Sequence, residues 1–414
     1  MHARSGMTLL TALVAAAALV VGGCGRSSDN GGGGGASAPG VTDTSIKLGT
    51  TFPLSGPASA YATISRASQA YFKMINAQGG VNGRKITYVV RDDGYDPARA
   101  VQNARRLITQ DKVFALFNPL GTPVNLAIWD YVNQQKVPQL YVATGASDFG
   151  DDVQKHPWTI GWQPTYPIEA QAFADYLKKS KATAKVAVLY QNDEFGKNFL
   201  NAFQKGIGGS SIKIVAKQSY EVTDPTVSPQ VVKLARSGAD TFLDIATPKP
   251  TAQAIGTVAK IGKWKPLHMI SNVSASKSLV FKPVGLAAAK GIVSNTYIKD
   301  PESPQYTSDA AMRDYKAQLK KYAPRLNPDE PFNVYGWAVA QTMVDTLKKA
   351  GKDLSRDNVM KAARSLDENI GLLLPGVKLK TSDSDGFPLQ SVQIQRFDGQ
   401  NWKTVGDVFT QGES

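Results

Sequence analysis

Cysteine is almost absent from this 414-residue chain. Its one copy, Cys24, permits no internal disulfide and leaves a cysteine-built zinc site without ligands. Histidine is nearly as scarce, with His2, His156 and His268 only, so a histidine-rich metal site or a two-histidine mechanism has little to work with. No Gly-rich phosphate loop and no GxSxG elbow occurs, and nothing in the chain calls for a cofactor or a metal. Past the N-terminal segment, no apolar run reaches the roughly 20 residues of a membrane helix. Asp92-Asp93 could suggest acid/base chemistry, but with no histidine or further acid at metal spacing it is expected to be a solvated turn at a strand end. Lys+Arg is 47 against 34 Asp+Glu, a net charge of +13. The lysines (Lys178-Lys179, Lys320-Lys321, Lys348-Lys349) are spread over predicted helix faces without interleaved aromatics, which argues against nucleic acid as a partner. A solvated surface near anionic lipid is the simpler account.

What is present begins with a targeting segment. His2 and Arg4 precede an uncharged apolar stretch, Met7 to Val21, of signal-peptide length. It ends at Val21-Gly22-Gly23-Cys24. Small residues before a lone cysteine resemble the lipobox of bacterial lipoproteins, in which the leader is removed and the cysteine carries lipid; a plain secretory leader is the alternative. Gly25 to Gly40 contains five consecutive glycines and almost no apolar residue, the composition of a flexible tether. The expected order is a leader over 1–23, a tether over 24–44 with lipidation at Cys24, and then a globule held extracytoplasmically at a membrane face.

From residue 45 on, short apolar runs alternate with segments of helical period. Strands are expected at Ser45–Pro53, Ile86–Asp92, Val113–Phe117, Gln139–Val142, Val186–Tyr190, Ile212–Gln218, Thr241–Ile245 and His268–Ile270, with helices between them. This pattern predicts an α/β fold with doubly wound parallel sheets, which bind ligands at the carboxyl ends of their strands. One block covers about 45–162 and another 163–296. From Tyr297 the chain is mixed, with helices at Ser308–Tyr322, Asn333–Ala350 and Arg356–Ser365. Two late strands around Asp398-Gly399 read as a hairpin.

Several motifs in order carry a resemblance: Thr50-Thr51-Phe52-Pro53-Leu54-Ser55-Gly56, then Ile75 to Arg84 (INAQGGVNGR), Asp92-Asp93 with Asp96-Pro97, and Asn192-Asp193-Glu194-Phe195-Gly196. Together they resemble the leucine/isoleucine/valine-binding proteins, the type I periplasmic solute-binding proteins of ABC importers, over essentially the whole mature chain. The resemblance implies two lobes joined by a three-strand hinge, 45–162 plus 297–368 and 163–296 plus 369–414, closing on a solute in the cleft. It implies a monomer whose partners are a small-molecule solute and the permease and ATPase subunits of an ABC importer, with the lipid anchor to the membrane.

The candidate ligand-binding residues follow the strand ends. Ser55 and Tyr61 lie between the first strand and first helix, where free N–H groups suit a carboxylate and, by the resemblance, an aromatic ring near Tyr61 packs on the ligand. An ordinary capped turn is the alternative. Gly121 and Thr122 match a small hydroxyl-bearing loop that grips a ligand carboxylate in the family, although Thr122 could equally cap the next helix. Ala143 and Thr144 follow the next strand and leave room for a ligand. Phe195 stands where the family often has tyrosine, and Thr247 lines the same wall. Trp162, at the first crossover, is expected to pack rather than touch ligand. Asn272 is the main departure: the resemblance places a glutamate there, paired with the ligand ammonium. A neutral residue leaves amides, short carboxylates and aromatic acids open alongside branched-chain amino acids, with Asp193, Glu194 or Asp244 as candidate replacements for the charge.

The expected function is solute capture for import, with no catalysis. A ligand-sensing receptor lobe without transport is the alternative, and an enzyme in the same cleft is disfavoured by the lack of a nucleophile constellation.

Overall fold

The computed structural model describes residues 38–411; the leader, Cys24 and the chain up to residue 37 lie outside the described residues. Its first sheet contains β1 (Ser45–Phe52), β2 (Lys85–Asp92), β3 (Ala115–Phe117), β4 (Gln139–Val142) and β5 (Thr159–Gly161), in the order β2-β1-β3-β4-β5. Every pairing is parallel. The crossovers that parallel strands require are supplied by α1 (Ala62–Ala77), α2 (Pro97–Thr109), α3 (Thr122–Gln134) and the short α4 (Asp148–Asp151). All residues of β3 and β4 are buried, which is why ALF and QLYV show no polar alternation.

After β5 the chain passes to a second set of elements: α5 (Tyr166–Ser180), β6 (Lys185–Gln191), α6 (Glu194–Gly206), β7 (Lys213–Tyr220), α7 (Ser228–Ala235), β8 (Thr241–Ile245), α8 (Pro248–Ile261), β9 (Leu267–Ile270), α9 (Leu286–Ala289) and β10 (Val293–Thr296). Side-chain caps fix several helix starts. The Asp96 carboxylate accepts from Ala98 N at 2.8 Å before α2, and the Thr165 hydroxyl accepts from Ile168 N at 3.4 Å before α5.

The chain then returns to the first half. α10 (Ala310–Tyr322) and α11 (Pro331–Ala350) pack on α1, followed by α12 (Arg356–Ala363) and a small ladder of β11 (Asp367–Glu368) and β12 (Leu379–Lys380). Gly336 allows the closest approach of α11 to α1, since a Cβ there would stand 2.3 Å from the Ile64 carbonyl oxygen. A third passage delivers β13 (Ser391–Phe397) and β14 (Trp402–Thr410) to the second sheet, ordered β14-β13-β10-β9-β8-β6-β7.

That sheet is mixed rather than wholly parallel. β13 pairs antiparallel with both β10 and β14, and the β13–β14 hairpin turns at Asp398-Gly399 as the sequence predicts. The Asp398 carboxylate accepts from Gln400 N and Asn401 N, both at 2.7 Å. The short β5 (TIG) and β10 (VSNT) carry too few apolar residues to stand out in the sequence. Ahead of α1 the chain makes a single 3-10 turn over Ser59–Tyr61, with no side chain capping it. Val41, ahead of β1, is buried in the first core, so the described part of the expected tether is docked by residue 41.

Candidate functional site

The carboxyl ends of the two sheets face a cleft enclosing about 980 Å³ of space between atoms, open solvent at its mouth included. Its walls come from both sheets and from the passages between them. Tyr61, Gly121 and Ala143 line it from the first half; Phe195, Thr247 and Asn272 line it from the second.

Local backbone constraints place the first wall. Asn118 and Tyr141 hold φ of 53° and 60°, an uncommon region for side-chain-bearing residues. The Asn118 amide donates to the Tyr141 carbonyl at 2.6 Å, and the Tyr141 hydroxyl bonds that of Thr346. The register of β4 against β5 shifts at Tyr141, which directs Ala143 and Thr144 toward the cleft end. Gly121 has φ 106°, and a Cβ there would stand 2.5 Å from the Tyr95 ring, so only glycine fits beneath that ring. Thr122 and Thr144 are buried just behind this surface, where their hydroxyls share a hydrogen bond at 2.7 Å and Thr144 also accepts from Ala146 N at 3.1 Å.

Ser55, like Thr122 and Thr144, does not line the cleft. It is exposed and absent from the cleft wall, and its hydroxyl donates to Asp92 at 2.5 Å. Asp92 also accepts from Leu54 N, Ser55 N and Gly94 N, which holds its carboxyl below the usual range against the opposing effect of partial burial. Asp93 is not solvated as expected. It is fully buried, accepts from the Thr51 hydroxyl at 2.7 Å and Tyr95 N at 2.7 Å, and is pushed up to about 6 by burial. Asp93 thereby anchors the turn that carries Tyr95 over Gly121. Trp162 packs as expected: its indole donates to the Thr342 hydroxyl at 2.9 Å and its ring meets Tyr335 edge-on.

The cleft is more aromatic than the sequence motifs suggest. Tyr95, Tyr166, Tyr297, Phe332 and Tyr335 join Tyr61 and Phe195 on its walls. The Tyr166 ring lies 4.8 Å from that of Phe195, and Tyr61 lies 5.2 Å from Phe332. Gln163 also lines it, with an amide nitrogen that is buried and unpartnered among the described residues. Tyr95 follows β2 inside the Asp92–Pro97 motif, whereas the others sit on crossovers or on helices remote in sequence from the strand-end motifs, where no local pattern marks them. Lys277, at one side, is engaged by Glu302 at 3.0 Å and by the Gln400 carbonyl at 2.9 Å. Neither Asp193 nor Asp244 replaces the missing acid as a wall residue: Asp193 caps α6 through Gly196 N at 3.3 Å, and Asp244 lies 3.4 Å from His268, fully buried. Glu194 stands outside the wall too.

The halves also touch across the cleft. The Tyr61 hydroxyl donates to the Val273 carbonyl at 3.0 Å, and the Ser276 hydroxyl donates to Glu330 at 2.8 Å, with Ser278 bonding the same carboxylate oxygen. Glu330 in turn accepts from Phe332 N at the start of α11, at 3.2 Å. Among the described residues no group of three or more His, Cys, Asp or Glu side chains is placed to hold a metal ion, and no helix is long and apolar enough to cross a membrane.

Comparison with known proteins agrees with this architecture. Residues 45–401 match the model of a periplasmic binding protein family. Leu/Ile/Val-binding protein homolog 7 of Brucella abortus is 24% identical over 356 residues, covering 83% of this chain and 86% of that protein. A branched chain amino acid ABC transporter protein from Thermus thermophilus with bound valine superposes with a TM-score of 0.81 at 18% identity, over 90% of this chain and 98% of that one. The fatty acid ABC transporter substrate-binding protein of Thermomonospora curvata gives 0.78 at 24% identity, over 92% and 96%. The family match over residues 45–401, together with these relatives, places the chain in the Leu/Ile/Val-binding family of type I periplasmic binding proteins.

Proposed function

We propose that this protein is the extracytoplasmic solute-binding lipoprotein of an ABC importer. It captures a small apolar solute between a lobe of residues 45–162 plus 297–390 and a lobe of 163–296 plus 391–414, and delivers it to a permease; the last crossing falls later than the expected 368/369 because Leu372, Leu374, Leu379 and Leu389 pack in the first core. The observation that carries this is the cleft: its wall is shared by two sheets whose connections are three passages, so a solute that touches both sides stabilises the closed arrangement. Tyr61, Gly121, Ala143, Phe195, Thr247 and Asn272 contact the solute, with Thr122 and Thr144 supporting the first wall from behind. The protein does no chemistry on the solute. Its relatives are named for leucine, isoleucine and valine, and one neighbour for fatty acids, which supports an apolar body as the common element. Cys24 carries the lipid.

The test is a thermal-shift screen of amino acids, amides, aromatic acids and fatty acids, followed by small-angle scattering with each hit. A solute bound only by the folded state raises the melting temperature and contracts the scattering profile. No stabilising solute, or a tight one that leaves the profile unchanged, overturns this function. Cys24→Ser should move the protein from the membrane to the soluble fraction; continued sedimentation with membranes would reject the anchor.

A further inference from the structure

Glu169 lies in the first turns of α5 and is fully buried beneath the cleft floor. One oxygen, Oε2, accepts from the Ser271 hydroxyl, from Asn272 N and from the Asn295 amide nitrogen, each at 3.2 Å. The other, Oε1, has no partner among the described residues. A buried carboxyl with an orphaned acceptor is costly, and it needs a reason to persist.

The hydrogen bonds around it run in one direction. Because the Asn295 nitrogen is committed to Glu169, its carbonyl oxygen faces the other way and accepts from the Asn272 amide at 3.2 Å. Asn272 and Asn295 both line the cleft. With its nitrogen spent on Asn295, Asn272 keeps a side-chain carbonyl oxygen that bonds nothing among the described residues. Each amide in the series is polarised by the carboxylate behind it, so the cleft floor offers an acceptor backed by negative charge.

We propose that Glu169 is the acid that selects a solute carrying an N–H donor, acting through Asn295 and Asn272 in place of the carboxylate that the resemblance sets after β9. The proposal rests on the solute-binding function above and narrows it to an apolar solute with an amino head, ahead of its des-amino counterpart. Glu169 is a positioning residue; the solute meets Asn272.

A pH signature accompanies this role. The groups facing Glu169 are Tyr166 of its own helix, Tyr61 after β1 and Tyr297 after β10, and no lysine, arginine or histidine is bonded to it among the described residues. Burial pushes its carboxyl up to about 7, against the three hydrogen bonds that pull it down. An ammonium-bearing solute favours the ionised form, so its affinity falls as pH drops from 8 to 6. A des-amino acid gains nothing from that ionisation.

The experiment is calorimetry on the full chain at pH 8 and pH 6, with two matched pairs of probes: L-leucine with 4-methylpentanoate, and L-phenylalanine with 3-phenylpropanoate. For at least one pair, the amino acid should bind the wild type tenfold or more tightly than its partner, and less tightly at pH 6. Glu169→Gln should narrow that gap about tenfold and flatten the pH dependence. A purely structural role would weaken both members of a pair alike. Asn272→Ala, which leaves the carboxyl in place, should narrow the gap as well, and it carries the test alone if Glu169→Gln does not fold. A gap and pH slope that survive Glu169→Gln would overturn the proposal, as would des-amino acids that bind the wild type as tightly as amino acids. Binding of none of the four probes also overturns it, while the solute-binding function is then decided by the broader screen and scattering above.

Discussion

At the scale of the residue, burial sets the electrostatics. Asp93, Glu169 and Asp300 are carboxyls that the fold holds up, at about 6, about 7 and about 6, each mainly through loss of water. A carboxyl raised on folding contributes most below its unfolded value, and that contribution is lost as pH rises through the folded one. Stability should therefore decline between about pH 4 and pH 7 from these three groups. Asp92 and Asp309 are held down instead, by hydrogen bonds and by Lys299 respectively, and act below pH 4 with the opposite sign. Thermal unfolding across pH 3–8 should show a maximum on the acidic side of neutrality; a melting temperature that climbs steadily to pH 8 would contradict the assignment. Tyr61 shows where sequence reasoning reaches its limit. Its place in the cleft was legible from the motif after β1, but its burial to 5% exposure was not. Truncation to alanine therefore removes packing as well as ligand contact, and is expected to cost about 3 kcal/mol of stability. Tyr61→Phe is the cleaner probe, because it deletes only the hydroxyl that donates to Val273.

At the scale of the element, the alternation of apolar runs and helical periods made most strands and helices legible. The strands lost to the reading were those with little apolar content, such as VSNT of β10, which is held by neighbours on both sides. The site was legible where a motif follows a strand and illegible where a long-range contact builds it. Glu169 looks like any acid in a first helical turn until β9 and β10 bring Ser271 and Asn295 against it. Gly336 is a similar case, a glycine inside a helix with no local purpose. Alanine would gain about 1 kcal/mol in helix propensity, but its methyl would press on the Ile64 carbonyl oxygen from 2.3 Å. Overpacking of this kind costs about 1–3 kcal/mol and should prevail. Gly336→Ala is thus expected to lower the melting temperature; an increase would show that α1 and α11 can part at little cost.

At the scale of the molecule, the contacts across the cleft set how long the two halves stay together. Ser278 bonds Glu330 from the opposite half and leaves the start of α11 intact when removed. Ser278→Ala should forfeit one hydrogen bond to a charged group, about 1.5–3 kcal/mol. The loss should appear as faster solute release, about tenfold or more, with little change in association rate. Stopped-flow measurement of both rates checks this, and a change confined to association would contradict it.

The placement of β13 and β14 has a further consequence for how the chain matures. β10 finds its second neighbour only when Ser391–Phe397 arrives, nearly a hundred residues after β10 itself. Until Ser391–Phe397 has been made, β10 has a naked edge able to recruit strands from other molecules. A version ending at Gln390 should therefore clump rather than shed a frayed tail, even though everything that walls the first half has by then been made.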